Sequence, residues 1–282
     1  MAFSFTVPFT RIAVGGGHMS PLLVGAGRAA VAAVLAIVAL KVLRQAAPRG
    51  AQWIRLAIVA AGVVVGFPFL TSYALTMTSA SHSAVIIAVL PAVTAVFTVI
   101  RTGERPSRSF WVAATAGAIA AIGFALIQSG GSFGLHWSDL LLFGAVIACA
   151  LGYAEGGVLA RELGSWQTIS WALVIASPFM VILTGVAVVQ HPPTASLVEW
   201  GAFTYLAVVS MFAGFIAWYR GLAIGPMAQV SQVQLAQPVF TLAWAALLLG
   251  EHVGWPTILG AVAVVGCALI AVRARIAPRR RR

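Results

Sequence analysis

Long apolar runs constrain this chain more than any other feature. Ten mostly apolar stretches, 2–15, 22–43, 52–77, 79–100, 107–128, 137–161, 166–189, 197–222, 227–249 and 256–272, follow one another with short polar joints between them. A helix needs about 20 such residues to cross a hydrocarbon core about 30 Å thick. Backbone groups cannot stay unpaired in lipid, and strand-like alternation is absent, so the runs read as membrane helices. Only 8% of the 282 residues are charged, against about 25% in a soluble domain. That excludes an ordinary cytosolic enzyme, a secreted disulfide scaffold and a disordered chain. The expected fold is an all-α integral membrane protein with ten transmembrane helices, or nine if the first run does not span.

The first run is the exception. It carries Pro8 and Arg11, is too short to cross untilted, and lacks the basic flank of a signal peptide. A start several residues further upstream would complete it.

Basic residues stay on the cytoplasmic side of a membrane, so their distribution orients the spans. With a cytoplasmic N-terminus, 15 of the 17 Lys and Arg residues fall on the inner side, from Lys41, Arg44, Arg49 and Arg55 to the Arg279–Arg282 tail. Arg11 and Arg28 remain within spans. Both termini are therefore expected in the cytoplasm. The basic tail reads as a contact for anionic lipid, not for nucleic acid. All five histidines (His18, His82, His136, His191, His252) fall on the outer side, as solvated loop residues or as groups titrating near pH ~6.5. Cys149 and Cys267 lie inside spans without metal-ligand spacing and read as small packing residues. No cofactor and no metal is expected.

The chain also repeats itself. Leu75 precedes Pro91 by 16 residues, as Leu222 precedes Pro238; Pro91 precedes Glu104 by 13, as Pro238 precedes Glu251. Each Glu follows a Gly, and the offset is 147 throughout. Units of five spans must have opposite orientations, which is the inverted-repeat architecture of many carriers. The expected organisation is a first repeat over 1–130, a second over 131–275, and a basic tail over 276–282. Pro91 and Pro238 cannot donate to the carbonyls of Ile87 and Gln234, so the fourth and ninth spans should each carry a weak point near mid-membrane.

These residues resemble the EamA family of the drug/metabolite transporter superfamily. The likeness rests on Leu249-Gly250-Glu251 closing the ninth span and on the first-half partners Tyr73-Ala74-Leu75, Pro91 and Gly103-Glu104. Pro21 followed by Arg28 and the tight joint between the third and fourth spans add to it. It covers essentially the whole chain, and the short first helix is its one departure. The resemblance implies two inverted five-helix units around a central cavity, lined by helices one, three, four, six, eight and nine. It also implies outward movement of small metabolites, often amino acids, across the bacterial inner membrane.

Ionisable groups inside a membrane are functional candidates by default. Arg11 and Arg28 lie within about 10 Å of the outer surface, where they would hold an anionic substrate group through forked hydrogen bonds. The bland alternatives are that Arg11 snorkels outward and that Arg28 pins neighbouring helix ends, and for Arg28 the structural role reads first. Glu155, near the inner surface, would bind an amino group or a coupling proton, unless it snorkels or pairs with Arg161. On the ninth span Gln229, Gln232 and Gln237 fall within about 140° of arc and read as cavity lining, with interhelical hydrogen bonding as the alternative. Tyr73, Tyr153, Trp218 and Tyr219 are candidate walls; Tyr73 and Tyr219 would equally suit an interfacial belt. Ala113, Gly117 and Ala121 at four-residue spacing would allow close packing, within one copy or in a homodimer.

Rival classes find little support. The only lysine, Lys41, belongs to no phosphate-binding loop, and neither paired acids for metal–diphosphate chemistry nor H-E-x-x-H is present. A channel filter sequence is missing as well. A small-molecule carrier working by alternating access, with or without proton coupling, is the first reading, in contact with membrane lipids. A lipid or polyprenyl-carrier flippase is the second; it would need a groove opening sideways to lipid.

Overall fold

The computed structural model describes residues 2–128, 136–251, 254–273 and 276–277. A 3-10 turn over Ala2–Phe5 leads into α1 (Thr6–Gly15). Then follow α2 (Pro21–Val42), α3 (Gln52–Met77), α4 (Ala80–Thr102), α5 (Arg108–Gln128), α6 (Trp137–Leu163), α7 (Ser165–Gln190) and α8 (Leu197–Ile224). α9 covers 227–249 and α10 is Trp255–Arg273. Among these, α2, α3, α4, α6, α7 and α8 are long and apolar enough to cross a membrane. A two-residue antiparallel pairing of Arg105–Pro106 with Ile276–Ala277 is the sole strand contact among the described residues.

Local chemistry places the ends of these helices. Ser20 caps α2 by accepting from the Leu23 amide at 3.1 Å, with Pro21 in the first turn. Ser79 does the same for α4 at His82 (3.1 Å), and Ser196 and Glu199 form a reciprocal capping box on α8. α4 and α9 stop at Gly103 (φ 71°) and Gly250 (φ 63°), a backbone region that costs glycine little. The two stops are again 147 residues apart.

Irregularities inside the helices recur at nearly the same spacing. α3 loosens into a π turn over Ala60–Gly66 and α8 over Leu206–Ala213. α4 breaks between Ile87 and Leu90, just ahead of Pro91, and α9 tightens to 3-10 over Ser231–Leu235, just ahead of Pro238. The prolines foretold the second pair, since each removes one backbone donor. Nothing in the sequence pointed to the π turns. The π turn of α3 packs on α6 and that of α8 on α2.

α6 forms the middle of the bundle, touching α3, α4, α7 and α8. Its approach to α3 needs glycine. A Cβ on Gly62 would sit 2.3 Å from the Ala148 carbonyl oxygen and 3.0 Å from the Gly152 nitrogen. Gly62 and Gly66 thus face Ala148 and Gly152, a small-residue seam of the kind that lets membrane helices touch backbone to backbone. The stripe singled out on the fifth span is less consequential: Ala113 is buried with Ala95, Phe110 and Ala228 inside the same chain, and the side chain of Ala121 lies outside the described residues.

The joints segregate into two ends. One end gathers His18, hydrogen-bonded to Glu199 (2.9 Å), and His82, hydrogen-bonded to the buried Asp139 (2.7 Å). The other gathers Arg55, Arg101, Glu155 and Glu162 in one ion cluster, with Gln45 and Gln167 joined nearby (3.2 Å). His252 and the Arg279–Arg282 run lie outside the described residues.

Candidate functional site: a buried arginine between kinked helices

Two small cavities lie where the irregular helices meet. The first is walled by Phe3 and Thr6 from the N-terminal segment, Arg28 of α2, Val63 and Phe67 of α3, Tyr153 of α6, and Ser210, Met211 and Phe215 of α8. Val63, Ser210 and Met211 belong to the two π turns, a type of turn that recurs at functional sites. The space open to the centre of a water molecule there is about 20 Å³.

Arg28 is the charged residue of this cavity. It is 1% exposed, and its Nε and Nη2 have no hydrogen-bond partner among the described residues. The pinning role expected first for it would need carbonyl partners for those donors, and none is in place. A buried guanidinium without acceptors is costly. Thr6 and Ser210 share a hydroxyl–hydroxyl bond of 2.8 Å, which leaves one hydroxyl hydrogen over.

The second cavity lies between α1, α4 and α9 and brings Pro91 and Pro238 to one place, together with Ala84, Ile87, Gln234 and Gln237. The Gln234 Nε2 donates to the Tyr153 hydroxyl at 3.2 Å, which couples the two cavities. Gln237 donates to the Phe3 carbonyl (3.3 Å) and Thr241 to that of Ser4 (2.9 Å), so the N-terminal turn is held in the centre of the bundle. Short as it is, α1 walls both cavities through Thr6 and Val7. The side chains of Gln229 and Gln232 lie outside the described residues.

Other candidate residues stand elsewhere. Arg11 neither lines a described cavity nor only snorkels: its Nη1 donates to the Leu75 carbonyl at 2.6 Å, closing the open end of α3. Tyr73 is 41% exposed, away from both cavities. Tyr219 is fully buried, packed over Gly156 and donating to the Gly152 carbonyl at 3.2 Å. That position fits neither an interfacial belt nor a cavity wall. Trp218 packs on Phe3 and Tyr153, and its Nε1 is buried without a partner among the described residues.

Glu155 is not a free carboxylate. It is 5% exposed and accepts from Arg55 Nε and from Arg101, whose Nη2 lies at 3.2 Å, while Arg55 Nη1 reaches Glu162 at 2.7 Å. The cluster ties α3, α4 and α6 together at the basic end. Arg161, the partner considered for Glu155, instead donates to the carbonyls of Gly225 (2.9 Å) and Leu222 (3.4 Å). Arg55 and Arg101 come from 100 and 54 residues away, a separation that no local pattern reveals. Glu155→Gln should therefore lower stability by about 2–3 kcal/mol. A fall in the thermal unfolding midpoint in detergent would register it. An unchanged midpoint would mean that the cluster contributes nothing.

The comparisons with known proteins agree with this architecture. The model of the EamA-like transporter family matches residues 1–126 and 136–273. The chain belongs to the EamA-like transporter family. It is thus a multi-pass membrane protein and a transporter. The uncharacterized transporter YdeK of Bacillus subtilis (strain 168) is 43% identical over 273 residues, covering 97% of this chain and 94% of that protein. The uncharacterized transporter YcbK of the same organism is 26% identical over 160 residues, 53% of this chain and 49% of the relative. A solved crystal structure shares the fold with a TM-score of 0.64 at 18% identity, over 96% of this chain and 98% of the other.

Proposed function

We propose that this EamA-like transporter is a carrier of the bacterial inner membrane that moves a small metabolite bearing an anionic group, an amino acid or a related acid, outward by alternating access. The observation that carries the reading is the unpartnered Arg28 in a cavity bounded by two π turns. A carrier site must bind and then let go, and helices with displaced hydrogen bonds are where a bundle bends at low cost.

Two five-helix repeats of opposite orientation, 1–130 and 131–275, fit the observations. Their support is the offset of 147 that relates Pro91 to Pro238 and Gly103 to Gly250, together with the matched π turns of α3 and α8. The separate stretches matched by the family model, 1–126 and 136–273, support it too. The histidine end would face outward and the basic end, with both termini, the cytoplasm.

The ends carry corresponding carboxylates in different situations. Glu251 accepts from the amides of Ala80 and Ser81, both at 2.9 Å, and from the Ser81 hydroxyl at 2.6 Å. It thereby latches the start of α4 to the end of α9. Glu104, its counterpart, has a buried Oε2 without a partner among the described residues. In our reading the outer latch is closed here, and the Glu104 latch at the start of α9 closes in the opposite state. Glu251→Ala removes hydrogen bonds to a charged acceptor worth about 1.5–3 kcal/mol. It should speed labelling of Ala84→Cys by a membrane-impermeant maleimide roughly tenfold or more. Equal labelling rates in the two backgrounds would remove Glu251 from the gate.

Proton coupling through Glu155 is not part of the proposal, since two guanidinium groups hold that carboxylate. The flippase reading has one observation in its favour, a groove of about 470 Å³ between α9 and α10. Its lining, including Val239, Leu242, Ile258 and Leu269, is apolar throughout. Such a groove suits an acyl chain of the bilayer and offers nothing to a headgroup. Counterflow into proteoliposomes of the purified chain, screened across labelled amino acids and organic acids with and without a pH gradient, tests the proposal. Saturable exchange of one of these cargoes is expected. Lipid scrambling in the same vesicles without such exchange would favour the flippase.

A further inference from the structure

The charge inventory of the site narrows the cargo further. The chain has six acidic residues in all, Glu104, Asp139, Glu155, Glu162, Glu199 and Glu251, and every one lies among the described residues. Asp139 is held by His82 and the His136 amide. Glu155 and Glu162 are held by Arg55 and Arg101. Glu199 is engaged by His18 and Ser196, and Glu251 by the start of α4. Glu104 follows the end of α4 at the basic end. None of the six lines the Arg28 cavity or the proline cavity beside it.

Among the described residues, the walls of these two cavities therefore hold one fixed positive charge, Arg28, and no negative one. The unpartnered groups there, among the described residues, are three donors, Arg28 Nε and Nη2 and Trp218 Nε1 on the ring that packs against Tyr153 and Phe3, and one neutral acceptor, Gln234 Oε1 in the proline cavity. The walls are aromatic, with Phe3, Phe67, Tyr153 and Phe215. A carboxylate neutralises Arg28 and accepts from its fork. A zwitterion brings an ammonium group as well, which leaves a net positive charge in a low-dielectric interior with ring faces and neutral oxygens such as Gln234 Oε1, but no carboxylate, to receive it.

From this balance we infer that the preferred cargo is a net anion, an aromatic or apolar monocarboxylate without an amino group, such as a 2-oxo acid. The inference rests on the carrier reading above and selects within it. Arg28 is the binding residue, and the leftover hydrogen of the Thr6–Ser210 pair is a second donor for the carboxylate or the 2-oxo group. Because the cargo crosses with a negative charge, its movement alone transfers charge.

Phenylpyruvate and phenylalanine share a ring and a carboxylate and differ at carbon 2, so they form the deciding pair. Counterflow of each label is measured in proteoliposomes of the full chain, with protein-free vesicles as the blank. Phenylpyruvate is expected to exchange at least tenfold faster, and Arg28→Gln to abolish that exchange. Phenylpyruvate, and not phenylalanine, should raise the thermal midpoint of the detergent-solubilised protein, and Arg28→Gln should lose the shift while keeping its helical circular dichroism. Phenylalanine exchanging as fast as phenylpyruvate, or faster, overturns the inference and leaves the carrier reading standing. Silence of both compounds in vesicles and in the thermal assay also overturns it. Only a silent screen of all other small cargoes would then overturn the carrier reading too.

Discussion

Arg28→Met is expected to abolish transport and, at the same time, to make the empty protein more stable. The two effects have one cause. Arg28 is buried at 1% exposure with Nε and Nη2 unpartnered among the described residues, so the folded protein carries the cost of a desolvated charge without its compensation. Replacing buried charges by apolar groups of similar volume has been worth about 1–4 kcal/mol in favour of the folded state. Methionine fills the space of the arginine stem and asks for no acceptor. The thermal midpoint in detergent should therefore rise. Transport should fall by about 100-fold or more, since a forked charge-assisted pair contributes roughly 3 kcal/mol to binding. An arginine that merely pins helix ends would behave in the opposite way, with its removal lowering the midpoint. The two measurements together separate a binding residue from a structural one.

Gly62→Ala is expected to cost about 3 kcal/mol or more. A Cβ at this position meets backbone, the Ala148 carbonyl at 2.3 Å and the Gly152 nitrogen at 3.0 Å. Backbone cannot swing aside as a side chain can, so α3 and α6 must separate. Separation also loosens Val63 from the Arg28 cavity, because Val63 sits in the π turn that Gly62 places against α6. Gly185→Ala on α7 is the matched control. Nothing lies within 4 Å of a Cβ there, and alanine favours the helix by up to about 1 kcal/mol. Thermal unfolding of the two variants beside the parent tests the contrast. Equal midpoints for both would show that the α3–α6 seam yields.

Much of the fold could be read from hydrophobicity alone, because a bilayer imposes helix length on every spanning run. The offset between Pro91 and Pro238 was equally legible, and the structure brings those two residues to the same cavity. The Gly62–Gly66 spacing stood in the sequence unused, as did the matching four-residue interval of Ala148 and Gly152 that it faces. What remained hidden was three-dimensional. The partners of Glu155 arrive from two other helices, and the orphaned donors of Arg28 are defined by what is missing around them. Tyr219 lies near the end of its helix in sequence, yet it is buried because Gly156 leaves room for its ring.

The central claim is alternating access, with the histidine end opening and closing around the Arg28 site. It is tested most directly by locking that end. Cysteines introduced as Ser81→Cys and Glu251→Cys replace two side chains that are hydrogen-bonded at 2.6 Å, in a background with Cys149→Ala and Cys267→Ala. Counterflow is then measured after oxidation and again after reduction. The account predicts that the cross-linked protein ceases to exchange cargo and that reduction restores the rate. Undiminished exchange by protein shown to be cross-linked would contradict it.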